Sequence, residues 1–296
     1  MLNQIQIQAP AKINLFLKVL NQREDGYHNI ISLFRKIKLY DELSIAVEPS
    51  SFFSCKIDGN FNFPDEENLI WKAAELFSRS IKRTLKFTIT CNKNIPEGSG
   101  LGGGSSDAAA TLIAANKLMG KPCSNKALKS LSEKLGSDVP FFIDDSSLAL
   151  ITGRGECIRS IPNFDKNYWL VIVYPGFEIS SGGAYKKLDS CNDSHINTTD
   201  DSTQVSVSAK YLCRQVLNSP DSWEFENDFE KVFLDEYPVY KSIKDQLVQF
   251  DALFTLLTGS GSAYFGIFET KTSAAKAAAS LSIQFPASDQ IMLCQY

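Results

Sequence analysis

Residues Pro96 to Leu112 read P-E-G-S-G-L-G-G-G-S-S-D-A-A-A-T-L, with five glycines packed between Gly98 and Gly104. An alanine-rich stretch of helical character follows at once. A glycine turn running into a helix start exposes backbone N–H groups beside the positive end of the helix dipole, which suits a phosphate. A Walker A loop is excluded, because no lysine follows these glycines. Gly98, Gly100 and Gly103 do satisfy the dinucleotide expression G-x-G-x-x-G. That site also needs an acid on a second strand about 20 residues on, where this chain has M-G-K-P-C-S. A flexible linker is the plain alternative, but linkers do not usually sit between a strand and a capped helix. A nucleotide-phosphate loop fits best, with the hydroxyls of Ser105 and Ser106 replacing the lysine and binding phosphate oxygens or the accompanying Mg²⁺.

The elements that must position this loop lie on both sides of it. Ile13, Leu15, Leu17 and Val19 alternate with Lys12, Asn14, Phe16 and Lys18, the period-two pattern of a strand with Lys12 and Asn14 on one face. Glu24-Asp25-Gly26 marks a turn, and Ile30 to Ile45 predicts more strand. Asn68 to Ser80 has helical spacing, and Leu85 to Cys91 predicts the strand that feeds the glycines. Ser105 to Met119 predicts a helix with Ala108, Leu112, Ala115 and Met119 on one face and Ser105 or Ser106 as its cap. Asn125 to Leu135 predicts a second helix, capped by Ser124 and ended by Gly136. The segment S-D-V-P-F-F-I after it is a turn into an apolar run.

Further along, Trp169 to Tyr174 reads as a buried strand and Leu188 to Ser208 as a polar surface loop. T-G-S-G-S at 258–262 is a second glycine turn, followed by a strand (Ala263 to Phe268), a helix from Ser273 and a strand near Ile291. Strands and helices mix without strict alternation or repeat. The fold class is therefore α+β in two lobes, 1–160 and 161–296.

Bulk properties narrow the function. The 296 residues are 44% hydrophobic and 22% charged, as in a soluble globular protein. A net charge of −4 without a basic block argues against a nucleic-acid-binding surface. No apolar run approaches the roughly 18 to 20 residues of a membrane span, and Met1 to Pro10 has no signal or transit character. Seven scattered cysteines with no C-x-x-C pair, and only two histidines, speak against a disulfide framework or zinc site. A cytoplasmic protein acting on a small molecule, as monomer or homodimer, is the expectation.

The loop P-x-G-x-G-L-G-G-G-S-S-D-A-A resembles the ATP-binding signature of the GHMP kinases, the galacto-, homoserine, mevalonate and phosphomevalonate kinases. A-P-A-K-I-N-L-F-L (9–17), D-G-Y-H (25–28), G-S-D-V-P-F-F (136–142) and L-T-G-S-G-S-A (257–263) extend the resemblance in order along most of the chain. They point to the branch whose acceptor is diphosphocytidyl-methylerythritol, phosphorylated on its 2-hydroxyl in the non-mevalonate route to isoprenoids. The resemblance implies a two-lobed fold with the active site in the cleft between lobes. It implies ATP as donor, Mg²⁺, and Lys12 with Asp138 as the catalytic pair. It assigns ATP to Pro96, Glu97, Gly98, Ser99, Gly100, Leu101, Gly102, Gly103, Gly104, Ser105 and Ser106; Asn68 and Lys93, which flank this loop in sequence, are candidates to reach adenine or ribose. It assigns the acceptor to Asn14, Tyr27, His28, Ser181 and Tyr185, with Tyr185 stacking on cytosine.

These residue types suit the task. Phosphoryl transfer to a tertiary hydroxyl needs positioning, charge neutralisation and a place for the proton. Asp138 is the candidate base; its plain alternative is a cap on the turn after Gly136. A lysine near it would keep the carboxylate ionised, and Asn14 could bind the acceptor's hydroxyls. Tyr27-His28 is either a base-binding edge or a half-buried aromatic edge. Asn68 and Lys93 are either nucleotide contacts or solvated surface. Glu97 hinders an anion unless it points away. Another GHMP kinase with a simpler acceptor such as mevalonate or homoserine is the second reading, and a nucleotide-binding regulator without catalysis the third.

Overall fold

In the segment L-K-F-T-I-T-C-N, Leu85, Phe87, Ile89 and Cys91 are buried while the residues between them face solvent. This strict alternation makes one strand face a wall for helices. The computed structural model describes residues 4–61, 63–162, 167–192, 209–285 and 290–296. The chain forms two compact units. The first comprises Met1–Ala11, Leu39–Ile95 and Gly102–Asp145; the second comprises Lys12–Lys38, Pro96–Leu101 and Ser146–Tyr296. Strands β1 (Gln4–Gln22) and β2 (His28–Pro49) each contribute to both units.

In the first unit, β4 (Leu85–Asn92) pairs antiparallel with the end of β2, from Glu42 opposite Asn92 to Pro49 opposite Leu85. It pairs in parallel with β3 (Ser54–Asp58). Helix α1 (Leu69–Ser80) buries Ile70, Ala73, Ala74 and Phe77, spaced i, i+3, i+4, i+7, and packs against α2 (Gly103–Leu118). Each fully buried Phe or Leu contributes about 1.5–3 kcal/mol. Helix α2 differs from the single apolar face read from its sequence. Residues 106–112 and 114–116 are all buried, because alanine side chains let α1, α3 (Asn125–Ser132) and α4 (Val139–Ile143) close on it from several sides. Its cap also differs. Gly102, left-handed at φ 74°, is the cap residue, and Ser105 and Ser106 lie inside the first turn. Ser124 does cap α3, accepting from Ala127 N. In the S-D-V-P-F-F-I segment, Ser137 and Asp138 form the expected turn, and the apolar run after it is the short helix α4.

In the second unit, the start of β2 pairs antiparallel with β5 (Leu148–Gly153), and β5 with β6 (Cys157–Ser160). A separate antiparallel sheet runs β10–β7–β9–β8, from β7 (Trp169–Tyr174), β8 (Phe254–Leu257), β9 (Tyr264–Phe268) and β10 (Gln290–Gln295). Its core joins Val171, Val173, Tyr264 and Phe268 to the buried faces of α5 (Ser181–Asn192), α7 (Asp228–Glu236), α8 (Val239–Gln249) and α9 (Lys271–Gln284). A further helix, α6, covers 209–215. The stretch read as a polar loop from Leu188 begins as helix, with Leu188 buried in that core; 193–208 lie outside the described residues. No helix among the described residues is long and apolar enough to cross a membrane.

Gly100 shows how closely the glycine loop is packed. Its φ is +78°, and a Cβ there would lie 2.4 Å from the Thr258 carbonyl oxygen and 2.9 Å from that of Gly261. Gly120 has a similar φ of +80° with nothing within 4 Å. Gly120→Ala is therefore expected to cost about 1 kcal/mol of strain alone, and Gly100→Ala on the order of 3 kcal/mol. Thermal midpoints measure this, and equal losses would mean that packing on the 258–261 turn does not matter.

Candidate active site

The two units each carry part of the predicted site. In the second, β1 brings Lys12 and Asn14 inside: Lys12 is 3% exposed and Asn14 fully buried. From Lys12 to Phe16 the polar face of this strand is thus as enclosed as its apolar face, and its groups must find partners. The Asn14 amide oxygen accepts from Lys12 Nζ at 2.8 Å, from Gly259 N at 2.9 Å and from Thr258 Oγ1 at 3.3 Å. Its Nδ2 donates to Ser32 Oγ at 2.9 Å, and Ser32 Oγ donates to the Phe16 carbonyl. The Lys12 ammonium also lies 4.6 Å from the centre of the Phe34 ring, a cation–π contact strengthened by burial. Asn227, the cap of α7, donates from Nδ2 to the carbonyls of Leu257 and Gly259 and so braces the same turn from its other side.

The first part of the glycine loop is held by backbone bonds. Lys12 N donates to the Leu101 carbonyl at 2.8 Å, and Ala263 N to the Ser99 carbonyl at 3.0 Å. Nearby, Tyr174 has its hydroxyl pushed up by burial and by the carboxylates of Glu178 and Glu97.

The predicted base-binding residues separate into two groups. His28 is buried, its ring stacked on Tyr185 with centroids 5.0 Å apart and planes at 14°, and its Nε2 lies 2.9 Å from Asp189 Oδ1. Tyr185 meets Phe229 edge-on at 5.0 Å. Tyr27 is exposed, with the Arg154 guanidinium over its ring at 4.9 Å. Ser181 Oγ lies 3.0 Å from Ser260 Oγ.

In the first unit, Asn68 caps α1 by accepting from Ile70 N at 2.9 Å, while its Nδ2 is buried without a hydrogen-bond partner. Ser106 Oγ is likewise buried and unpartnered, and the half-buried Ser105 precedes it. Ser106 N makes a hydrogen bond to Gly102 O at 2.9 Å, so the amides of 103–105 form the dipole's open end. Such orphaned polar atoms cost about 1–3 kcal/mol each unless something meets them, and a phosphate oxygen or a hard cation fits a hydroxyl there. Asp138 occupies the cap position of α4, half-buried, yet makes no side-chain capping bond.

Lys93 is not the solvated surface residue of its plain alternative, its side chain being 11% exposed. Its Nζ binds Asp41 at 2.5 Å and Asp107 at 2.8 Å. Burial alone would push this ammonium down, but Asp107 and Asp41 more than reverse that and hold it above its ordinary range. Asp41 also accepts from Asn94 N and Ile95 N, fastening the residues that lead into the glycines. A Cβ on Gly103 would lie 3.0 Å from Ile95 Cγ2 and 3.2 Å from Lys93 Nζ.

Residues 68–145 match the GHMP kinases N terminal domain, and residues 209–287 the GHMP kinases C terminal. The chain is 36% identical over 287 residues to the 4-diphosphocytidyl-2-C-methyl-D-erythritol kinase of Prosthecochloris aestuarii, covering 96% of each. The chain belongs to the GHMP kinase family. It is similar in structure to a 4-(cytidine 5'-diphospho)-2C-methyl-D-erythritol kinase, with a TM-score of 0.75, 29% identity and 98% of each chain covered. A homoserine kinase from Cytophaga hutchinsonii aligns with a TM-score of 0.73 over 99% of this chain and 95% of that one. At 16% identity, that likeness speaks for the fold alone. GHMP kinases take ATP as phosphoryl donor.

Sequence reading of this GHMP kinase misses Asp41, Asp107, Asn227, Thr258 and Asp189. Only Asp107 carries a usable signal, as a charged residue in an otherwise alanine-rich helix. Burial pushes its carboxyl up to about 7, the Lys93 ammonium pulling against this and Asp41 adding to it. From the ordinary value of 3.8 up to about 7, the folded chain holds a proton that the unfolded chain has released. This contribution to stability is complete below pH 3.8 and is lost as pH rises to about 7. Asp107→Asn, which lacks that titration, should gain on the wild type in thermal midpoint between about pH 4 and 7 and level off above. A difference that stays constant over that range would contradict the assignment.

Proposed function

We propose that this kinase transfers the γ-phosphoryl group of ATP to the 2-hydroxyl of 4-diphosphocytidyl-2-C-methyl-D-erythritol. The observation that carries the acceptor is the His28–Tyr185 stack, an aromatic pair with a polar ring edge. A mevalonate or homoserine acceptor has no base for such a pair. Relatives that bear this activity in their names, at 36% identity across nearly the whole chain, support the same reading.

In this reading, the amides of 103–105 and the hydroxyls of Ser105 and Ser106 hold the triphosphate, with Asn68 at the nucleoside end. Ser105 and Ser106 would hold Mg²⁺, which when bound would supply positive charge beside the phosphates. Asp138 takes the proton from the acceptor hydroxyl, a role worth about 10²- to 10⁴-fold in rate. Lys12 orients that hydroxyl with its ammonium. Asn14 serves by holding Lys12 and the 258–259 turn, since both ends of its amide are already bonded. Tyr27 and Ser181 line the acceptor side.

ADP release with Mg-ATP and each acceptor in turn tests the proposal. Turnover is expected with the cytidine compound and not with mevalonate or homoserine; the reverse pattern would sink it. Separately, Asp138→Ala should lower kcat by at least about a hundredfold and leave ATP affinity nearly unchanged. An unchanged kcat would assign the base elsewhere.

A further inference from the structure

We infer that Asp189 is a positioning residue that fixes how His28 reads the acceptor's base. A carboxylate offers only lone pairs, so the contact of 2.9 Å between Asp189 Oδ1 and His28 Nε2 requires a proton on Nε2. In the neutral ring that leaves Nδ1 as an acceptor. Nδ1 has no hydrogen-bond partner among the described residues, so it is the polar ring atom left for a ligand.

The same helix supplies the second restraint. Tyr185 and Asp189 are one turn apart on α5, and Tyr185 stacks on the plane of the imidazole. Stacking fixes the plane of the ring but still allows a half-turn flip about Cβ–Cγ, which exchanges Nδ1 with Cδ2 and Nε2 with Cε1. The Asp189 contact removes that freedom, as outer-shell carboxylates do for the histidines of metal sites. His28 is itself buried, whereas the Asp189 side chain is 45% exposed. Asp189 can therefore change without opening the core.

An acceptor atom held in one place selects a ligand that presents an N–H. Cytosine has an exocyclic amine where uracil has a carbonyl oxygen, so a fixed Nδ1 attracts the first and repels the second. This specificity rests on the proposed cytidine-bearing acceptor. The orientation of His28 rests on the contact alone.

The experiment compares the wild type with Asp189→Leu and Asp189→Asn, using CDP and UDP as probes in calorimetric titrations. Proton NMR of the imidazole N–H region accompanies it. With only two histidines in the chain, loss of a signal in His28→Gln assigns that signal to His28. The wild type should show a downfield Nε2–H resonance and bind CDP in preference to UDP. Asp189→Leu should lose the resonance and reduce the CDP-to-UDP preference by about tenfold, with Mg-ATP affinity and thermal midpoint unchanged. Asp189→Asn retains an acceptor oxygen and should keep most of the preference, an outcome that a merely structural role does not predict. A wild-type preference that survives in Asp189→Leu overturns the inference and leaves the proposed activity standing. Equal binding of CDP and UDP by the wild type overturns the cytidine reading, and the specificity inference with it.

Discussion

A loop made mostly of glycine has no side chains by which to be held, so its shape must be imposed through its backbone. The Leu101 carbonyl takes its hydrogen bond from Lys12 N, and the Ser99 carbonyl from Ala263 N. Gly100 lies so near the 258–261 turn that no side chain could fit between. That turn is in turn bonded to Asn14 and Asn227. The residues that hold the loop are thus the neighbours of those proposed to touch substrate, and a single buried amide, that of Asn14, serves both. Burying so many polar groups is tolerated only because they are nearly all paired.

From Gly102 onward, the glycine stretch depends on charge instead. Lys93 and its two carboxylates sit under the first turn of α2, an arrangement in which removing Lys93 strands both acids. Breaking a buried pair of this kind costs about 3–5 kcal/mol, although the intact set adds little net stability. Its contribution is geometric: Asp41 ties down Asn94 and Ile95, and Lys93 ties Asp41 to the helix that carries Ser105 and Ser106.

What can be read from the sequence follows from which signals are local. Period-two burial in β4 and the apolar stripe of α1 are legible because each element faces one core. The Ser124 cap is legible because capping is a contact between near neighbours. The start of α2 misleads for a related reason: serine is the commoner cap, but the left-handed turn before this helix demands a glycine. The bond of Asn14 to the 258–259 turn and the Asp189 contact link residues 161 to 245 positions apart, and no spacing rule reaches that far. Lys12 and Asp138, proposed above as the catalytic pair, are singled out by family resemblance alone. Their surroundings are not legible, because enclosure on both faces of β1 depends on partners elsewhere in the chain.

The Lys93 arrangement also constrains how this chain can drift. Loss of Lys93 before its acids would strand two buried carboxylates, and a larger residue at Gly103 would press on the ammonium. Positions 41, 93, 103 and 107 can therefore change only in certain orders, beginning with an acid-to-amide step. Lineages that depart from this set should do so as a block, so that these four sites vary together while the exposed Gly104 beside them varies alone.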